Sequence, residues 1–382
     1  MRPRIKPLLS IIWRDEQTLQ LGGDPGHAVV LSGIDAPTAG WLRGLDGTRE
    51  AEAVLREAET DGPGRPRAER LLRLLDEQGL LDDAAADQLA WRRLPTRERT
   101  RMAPCLAAAA LVHRENRGGA GLLARRQAAT VRVLGAGRVG AGIIALLAAA
   151  GVGGLEATDP GVAEPADLSP GGLGPQALGR PRGQAALERA VRVNPAVRVG
   201  APEGVGEGGA GAIGVGSAAD VVVVCAAGAT DPVLAAGLLR TGIPHLAVTI
   251  GETRVVLGPL VLPGVSACLR CLDLARGERD RRWGHVAAQL CRPAWRATVA
   301  CEAVLATGAA ARAAAAVLCL LDGGRPDLID ATVELDLPDL AARRRVWRMH
   351  PACGCGWSQE LAGAEPDHAP AHIEARAATM VR

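Results

Sequence analysis

The residues from Val131 to Asp159 constrain this chain most. Val131-Arg-Val-Leu134 reads as a short buried strand, and Gly135-Ala-Gly137-Arg-Val-Gly140 follows at once. Ala141 to Ala150 has high helix propensity, and Leu155-Glu-Ala-Thr-Asp159 reads as a second strand ending in an acid. This is the order of a nucleotide-binding strand–turn–helix–strand unit. In such a unit Gly135 permits the tight turn, Gly137 lets the backbone approach a phosphate, and Gly140 lets helix and strand pack closely. Amides at the helix start would face the phosphates. Asp159 stands 24 residues after Gly135, where an acid takes the ribose hydroxyls. In a chain with 48 glycines the bare GxGxxG says little; its strand, helix and acid in register say more. The competing reading is a turn of the same type that binds nothing.

Composition excludes several classes. The net charge is +2 over 382 residues, so no global field argues for nucleic acid or a membrane surface. The chain has no Phe, no Tyr and seven Trp. That removes Tyr as a general acid and leaves few platforms for stacking bases. No apolar run reaches about 18 residues without interruption, so no membrane span is expected. Met1-Arg-Pro-Arg-Ile-Lys6 lacks the apolar core of a signal peptide. Nine cysteines, four of them in metal-like spacing, fit a reduced, cytoplasmic protein.

Residues 1–85 read as a separate small unit. Leu8–Trp13, Thr18–Leu21 and Ala28–Leu31 are predicted strands. Asp35 with Pro37 opens one helix, Thr48 is expected to cap a second through Glu59, and Pro66 opens a third that ends near Gly79. Three short strands and three helices suggest a winged-helix-like module. The third helix mixes Glu69, Asp76 and Glu77 with Arg65, Arg67, Arg70 and Arg73, a pattern read as a solvated face rather than a DNA-recognition helix. Residues 86–129 read as a linker with a helix at Cys105–His113. From 130 to 357 runs an α/β domain. Ala219–Cys225 is a continuously apolar parallel strand, Val233–Leu239 a helix, and His245–Ile250, Arg254–Leu262 and Thr332–Leu337 later strands. Arg296–Leu321 is a long Ala-rich helix. Glu203–Gly216 is expected to be a loop, and 358–382 a disordered tail.

Cys268-Leu-Arg-Cys271 and Cys353-Gly-Cys355 form the second strong signal. Two thiolate pairs on short turns supply four sulfurs for tetrahedral Zn2+ and leave no open position, so the metal would be structural. His350 is a spare candidate ligand. Cys105, Cys225, Cys291, Cys301 and Cys319 lie in apolar contexts and read as small core residues rather than nucleophiles.

The glycine turn, the acid-ended second strand, Asn194-Pro195, the Asp220–Cys225 strand and the late CxxC…CxC pair occur here in one order. That order resembles the ThiF-type family, the adenylyltransferase domain shared by ubiquitin-activating enzymes and by activators of thiamine and molybdopterin synthesis. The resemblance covers roughly Thr130 to Trp357. It implies a Rossmann-like domain with a mostly parallel sheet, binding of ATP and Mg2+, adenylation of a carrier protein's C-terminal glycine, a structural zinc and a homodimer. The family's ribose acid matches Asp159. Its phosphate-clamping arginine falls on Pro170, its lysine on Arg182, and its metal-serving aspartate on Ala227; Asp231 lies four residues further on. No residue is therefore assigned as catalytic, and the adenylation positions Pro170, Arg182 and Ala227 read as eroded. Gly135, Gly137, Gly140, Asp159 and Arg182 remain the nucleotide-binding candidates.

A small winged-helix-like unit ahead of an eroded ThiF-type domain resembles the partner proteins of azol(in)e-forming peptide biosynthesis. Leu45-Asp-Gly-Thr48, Gly79-Leu-Leu-Asp82 and the stretch from Cys268 to Arg276 carry that resemblance. It implies capture of a precursor peptide's leader as an added strand, near Val29–Leu31 and Leu71–Leu75, and docking of a separate YcaO-type cyclodehydratase. The expected function is peptide binding and scaffolding; the alternative is an active ATP-dependent adenylyltransferase. A nicotinamide-dependent oxidoreductase shares the glycine turn but leaves the cysteine pairs unexplained.

Overall fold

The computed structural model describes residues 1–86, 89–200, 219–291 and 300–356, and contacts divide the chain between Arg125 and Arg126 into two units. The predicted loop at 203–216, the first part of the helix expected from Arg296 and the tail at 358–382 lie wholly or largely outside the described residues.

The first unit runs through β1 (Pro3–Ile5), β2 (Ile11–Asp15), β3 (Thr18–Leu21), β4 (Val29–Ser32), α1 (Ala36–Arg43), α2 (Ala51–Asp61), α3 (Arg65–Glu77), β5 (Leu81–Asp83), α4 (Leu89–Arg92) and α5 (Thr96–Val112), with α6 (Ala120–Ala128) leading out of it. Strands β2, β3 and β4 form an antiparallel sheet in that order, and β1 pairs with β5. Asp35 caps α1 as expected, accepting from Thr38 N at 2.9 Å. Thr48 does not cap α2. Its amide and hydroxyl both donate to Asp46 Oδ1, a local bond that competes with capping, and α2 begins only at Ala51. Leu19, Leu21 and Leu31 from the sheet pack on Trp41, Leu42, Val54, Leu71 and Leu75 from the helices. The helix expected at Cys105–His113 is the second half of α5, which starts in the basic run and carries Pro104 inside. An interior Pro costs roughly 3 kcal/mol; burial of Met102, Leu106 and Ala110 on the same helix offsets it.

The second unit contains β6 (Thr130–Leu134), α7 (Arg138–Ala149), β7 (Gly154–Thr158), α8 (Arg182–Val193), β8 (Arg198–Gly200), β9 (Val221–Ala227), α9 (Pro232–Thr241), β10 (His245–Ile250), β11 (Arg254–Val261), α10 (Leu269–Arg279), α11 (Trp283–Leu290), α12 (Ala303–Leu321), β12 (Ala331–Asp336) and β13 (Ala341–Val346). They build an eight-stranded sheet in the order β13-β12-β11-β10-β9-β6-β7-β8. The run from β10 to β8 is parallel, and β11, β12 and β13 add antiparallel. The α/β architecture is thus as the sequence implied. Strand order reverses at β6, so the crevice beyond the ends of β6 and β9 is the natural ligand position.

Helix α12 starts at Ala303 because Glu302 caps it, accepting from Val304 N and Leu305 N. Its 19 residues and mean hydropathy of 1.9 would suffice to cross a membrane by length and composition. Here Leu305, Ala306, Ala309, Ala310, Ala313 and Val317 are instead buried in the sheet-and-helix core. Strand β13 was not predicted: its Ala-Ala-Arg-Arg-Arg-Val sequence has no apolar alternation, and every residue is exposed.

Two ion pairs in this unit have an almost fully enclosed arginine. Arg126 makes a two-pronged contact with Asp322, at 2.8 and 2.5 Å, and Arg132 Nε donates to Glu156 Oε2 at 2.7 Å. The Arg126–Asp322 pair is almost fully enclosed. Removing one member leaves an uncompensated buried charge, which costs about 3–5 kcal/mol, whereas replacing both by apolar groups is often neutral. Asp322→Ala is therefore expected to lower unfolding free energy by about 3–5 kcal/mol, and the double change Arg126→Met/Asp322→Leu to recover most of it, as read by denaturant titration.

Candidate functional site

The glycine turn forms where β6 passes into α7. Gly135 has φ +91°, and a Cβ there would lie 2.4 Å from Cys225 O on β9. A Cβ on Gly140 would lie 1.8 Å from Gly135 O. Both glycines are thus explained by contacts within the protein. Gly137 is different: the nearest atom to an added Cβ is Asp167 Oδ1, at 3.8 Å. The internal packing leaves its space open, as a phosphate cradle requires.

The other candidates fit a nucleotide less well. Asp159 follows β7, and its side chain is only 3% exposed. Its Oδ2 accepts from Ala136 N at 2.6 Å, and its Oδ1 from Gly161 N at 2.7 Å. Arg182, the first residue of α8, adds Nε and Nη2 to the same Oδ1 at 3.0 and 2.9 Å, and Nη1 to Asp167 Oδ1 at 3.1 Å. Burial works against the Arg182 charge, but Asp159 and Asp167 outweigh it and hold the guanidinium above its ordinary value. The carboxylate that would take a ribose already has four donors. Arg138 sits in the motif itself but points elsewhere, donating to Cys301 O and to Leu168 O.

The turn containing Pro170 packs on the start of α7, with Ser169 Oγ 3.5 Å from Arg138 O; proline supplies no cation there. Ala227 ends β9 and pairs with Ile250. Asp231 is committed to capping α9, accepting from Val233 N at 2.8 Å. Cys225 beneath the glycine turn is partly buried, and desolvation pushes its thiol up to about 12. It is a packing residue, not a nucleophile. Among the described residues, the space over Gly137 is open, Asp159 and Arg182 are paired with each other, and a proline and an alanine stand at positions 170 and 227.

The cysteine pairs meet as their spacing implied. Cys268 precedes α10 and Cys271 lies in its first turn; Cys353 and Cys355 flank Gly354, whose φ is +76°. Sulfur separations are 3.7 Å for Cys268–Cys271, 3.5 Å for Cys268–Cys353 and 3.4 Å for Cys271–Cys355, and all four sulfurs lie within 4.8 Å of one another. A tetrahedral ZnS4 centre has S···S near 3.8 Å, so the cluster can hold such a metal. A hydrogen bond from the Cys268 thiol pulls Cys271 down to about 4, and the amide of His350 also points at the Cys271 sulfur, at 3.3 Å. The His350 ring is not a spare ligand: Nε2 contacts Glu278 at 2.9 Å, and Nδ1 accepts from Ala352 N at 3.1 Å. Trp347 and Leu272 pack around the sulfurs.

In the first unit a groove of about 380 Å³ runs between β4 and α3. Val30, Leu31 and Ile34 line one side, and Leu71 and Leu74 the other. β4 is the last strand of its sheet, with no partner on its outer edge among the described residues. This is the place where the sequence resemblance put a peptide. Arg70 and Arg73, read from sequence as part of a solvated face, line the same groove. Their spacing of three from Arg67 was the available signal.

Cys271→Ser is expected to abolish metal retention, read as loss of one zinc per chain by elemental analysis. Chelator should lower the Tm of the parent protein and leave that of the variant unchanged. Arg182→Ala leaves a buried acceptor short of its partner and should cost about 1–3 kcal/mol in unfolding free energy.

Comparison with known proteins places this geometry in a family. Residues 114–356 match the model of the ThiF family. Among solved structures, E. coli MccB with ATP is similar at a TM-score of 0.69 and 15% identity, over 93% of this chain and 100% of that one. E. coli MccB with AMPCPP and selenomethionine MccA gives 0.70 at 16% identity, over 93% and 99%. PaaA gives 0.65 at 17% identity, over 89% and 99%. At such identities the likeness is one of fold. No curated protein matches the chain in sequence. With more than half of its length matched by that model, the chain belongs to the ThiF family.

Proposed function

We propose that this ThiF-family protein binds a ribosomal precursor peptide and scaffolds a separate modifying enzyme, its own adenylation site eroded. The observation that carries the reading is the open edge of β4 facing α3 across an apolar-floored groove. An extended peptide adds to such an edge through main-chain hydrogen bonds, and the pockets beside it select side chains. E. coli MccB, a protein of similar fold, has been seen with MccA.

The scaffold part of the reading rests on the paired state of Asp159 and on Pro170 and Ala227. Nucleotidyl transfer depends on positioned charge around the phosphates and metal. ATP, if bound, would supply an adenylyl group, with pyrophosphate as the leaving group. Here the nearest arginines are spent on Asp159, Asp167, Cys301 O and Leu168 O. The peptide-modifying chemistry then belongs to a partner, for which the azol(in)e resemblance implies a YcaO-type cyclodehydratase. Zinc at the four cysteines serves folding, and a homodimer is the expected state. The second reading, an active adenylyltransferase, is favoured by one observation, the open space over Gly137.

Calorimetric titration with Mg-ATP to millimolar concentration should give no binding heat, and ATP–pyrophosphate exchange should stay at background with any candidate peptide. Binding with peptide-dependent exchange would make this an adenylating enzyme. The scaffold reading also expects co-elution with a YcaO-type cyclodehydratase of the same genome on size exclusion; independent elution counts against it.

A further inference from the structure

The groove between β4 and α3 carries a charge pattern that peptide binding alone leaves unused. Its helical wall presents Arg67, Arg70 and Arg73 against a single acid, Glu77. Successive arginines stand three residues apart, about 4.5 Å along the helix axis, on the face that also carries Leu71 and Leu74. Arg67 is occupied: it donates to Gly33 O and lies 4.0 Å from Asp35 Oδ2. Arg70 and Arg73 are exposed and make no hydrogen bond or ion pair among the described residues. Two unpaired guanidinium groups thus overhang an apolar floor beside an open strand edge. Side chains on one face of an added strand recur about every 6.6–6.8 Å, a spacing that long, flexible arginines reach from adjacent helical turns. Guanidinium pairs best with carboxylate, in a two-pronged geometry.

Resting on the reading that this groove takes a peptide strand, we infer that its occupant is an acidic one. Two Asp or Glu residues, two positions apart on the face toward α3, pair with Arg70 and Arg73, and a neighbouring apolar residue on that face covers Leu71 and Leu74. The peptide's backbone joins β4. The charge sets which peptides are taken and speeds their encounter; the strand edge supplies what is common to all of them.

The test is selection of a phage-displayed random dodecapeptide library on the full-length protein. Enriched sequences are resynthesised with fluorescein and titrated by anisotropy at low and high salt. The expected result is enrichment of paired acids two residues apart beside an apolar residue, with affinity falling as salt rises. Arg70→Glu/Arg73→Glu, both on the surface, should keep its Tm and weaken binding at least tenfold, and a peptide with Lys for the acids should bind that variant better than the parent. Leu74→Trp, which fills the groove, should abolish binding. Neutral or basic peptides that are lost with Leu74→Trp but indifferent to Arg70→Glu/Arg73→Glu would overturn the acidic occupant and leave the peptide groove standing. Peptides indifferent to Leu74→Trp, or no enrichment at all, would overturn both.

Discussion

The backbone contact between the glycine turn and β9 is the constraint on which the second unit depends. With no Cβ at Gly140, α7 can begin directly over Gly135, and with none at Gly135 the turn can lie on Cys225. That fit lets β6, β9 and α7 share one core, in which Val131, Val133, Val221, Val223, Ile143 and Leu147 are buried. It also brings the amide of Ala136 to Asp159. Close packing by itself therefore accounts for the shape of this turn at Gly135 and Gly140.

Arg182 shows how the acids beside the glycine turn are held. A lysine at this place would be a compact charge free to meet a phosphate. The guanidinium here forks between Asp159 and Asp167 and joins α8 to the segment after β7. Two acids that would otherwise repel each other are thereby bridged by one cation. Arg182 thus acts as a structural cross-link here, and the sulfurs of Cys268, Cys271, Cys353 and Cys355 lie together as a four-donor set.

Much of this was legible in the chain. Val221–Ala227 is continuously apolar because both faces of a central parallel strand are buried, and that pattern survives without homologues. Asp35 with Pro37, and the two cysteine pairs, announce themselves by local chemistry. Strand β13 did not, since an edge strand bearing Arg343, Arg344 and Arg345 has no hydrophobic period to read. Thr48 misled because its hydroxyl had a closer partner in Asp46, and His350 because its ring found Glu278.

By itself the sequence determined the α/β class, the glycine turn and the four sulfurs, since each rests on local propensity or on spacing along the chain. Only the tertiary structure decided what the charged residues do. Arg182 turned inward to Asp159, Asp231 turned back to cap α9, and Arg70 and Arg73 were left unpaired over an apolar groove. A long charged side chain reaches many partners, and the partner it takes depends on which segments folding brings within a few ångströms. Sequence spacing carries no record of that choice.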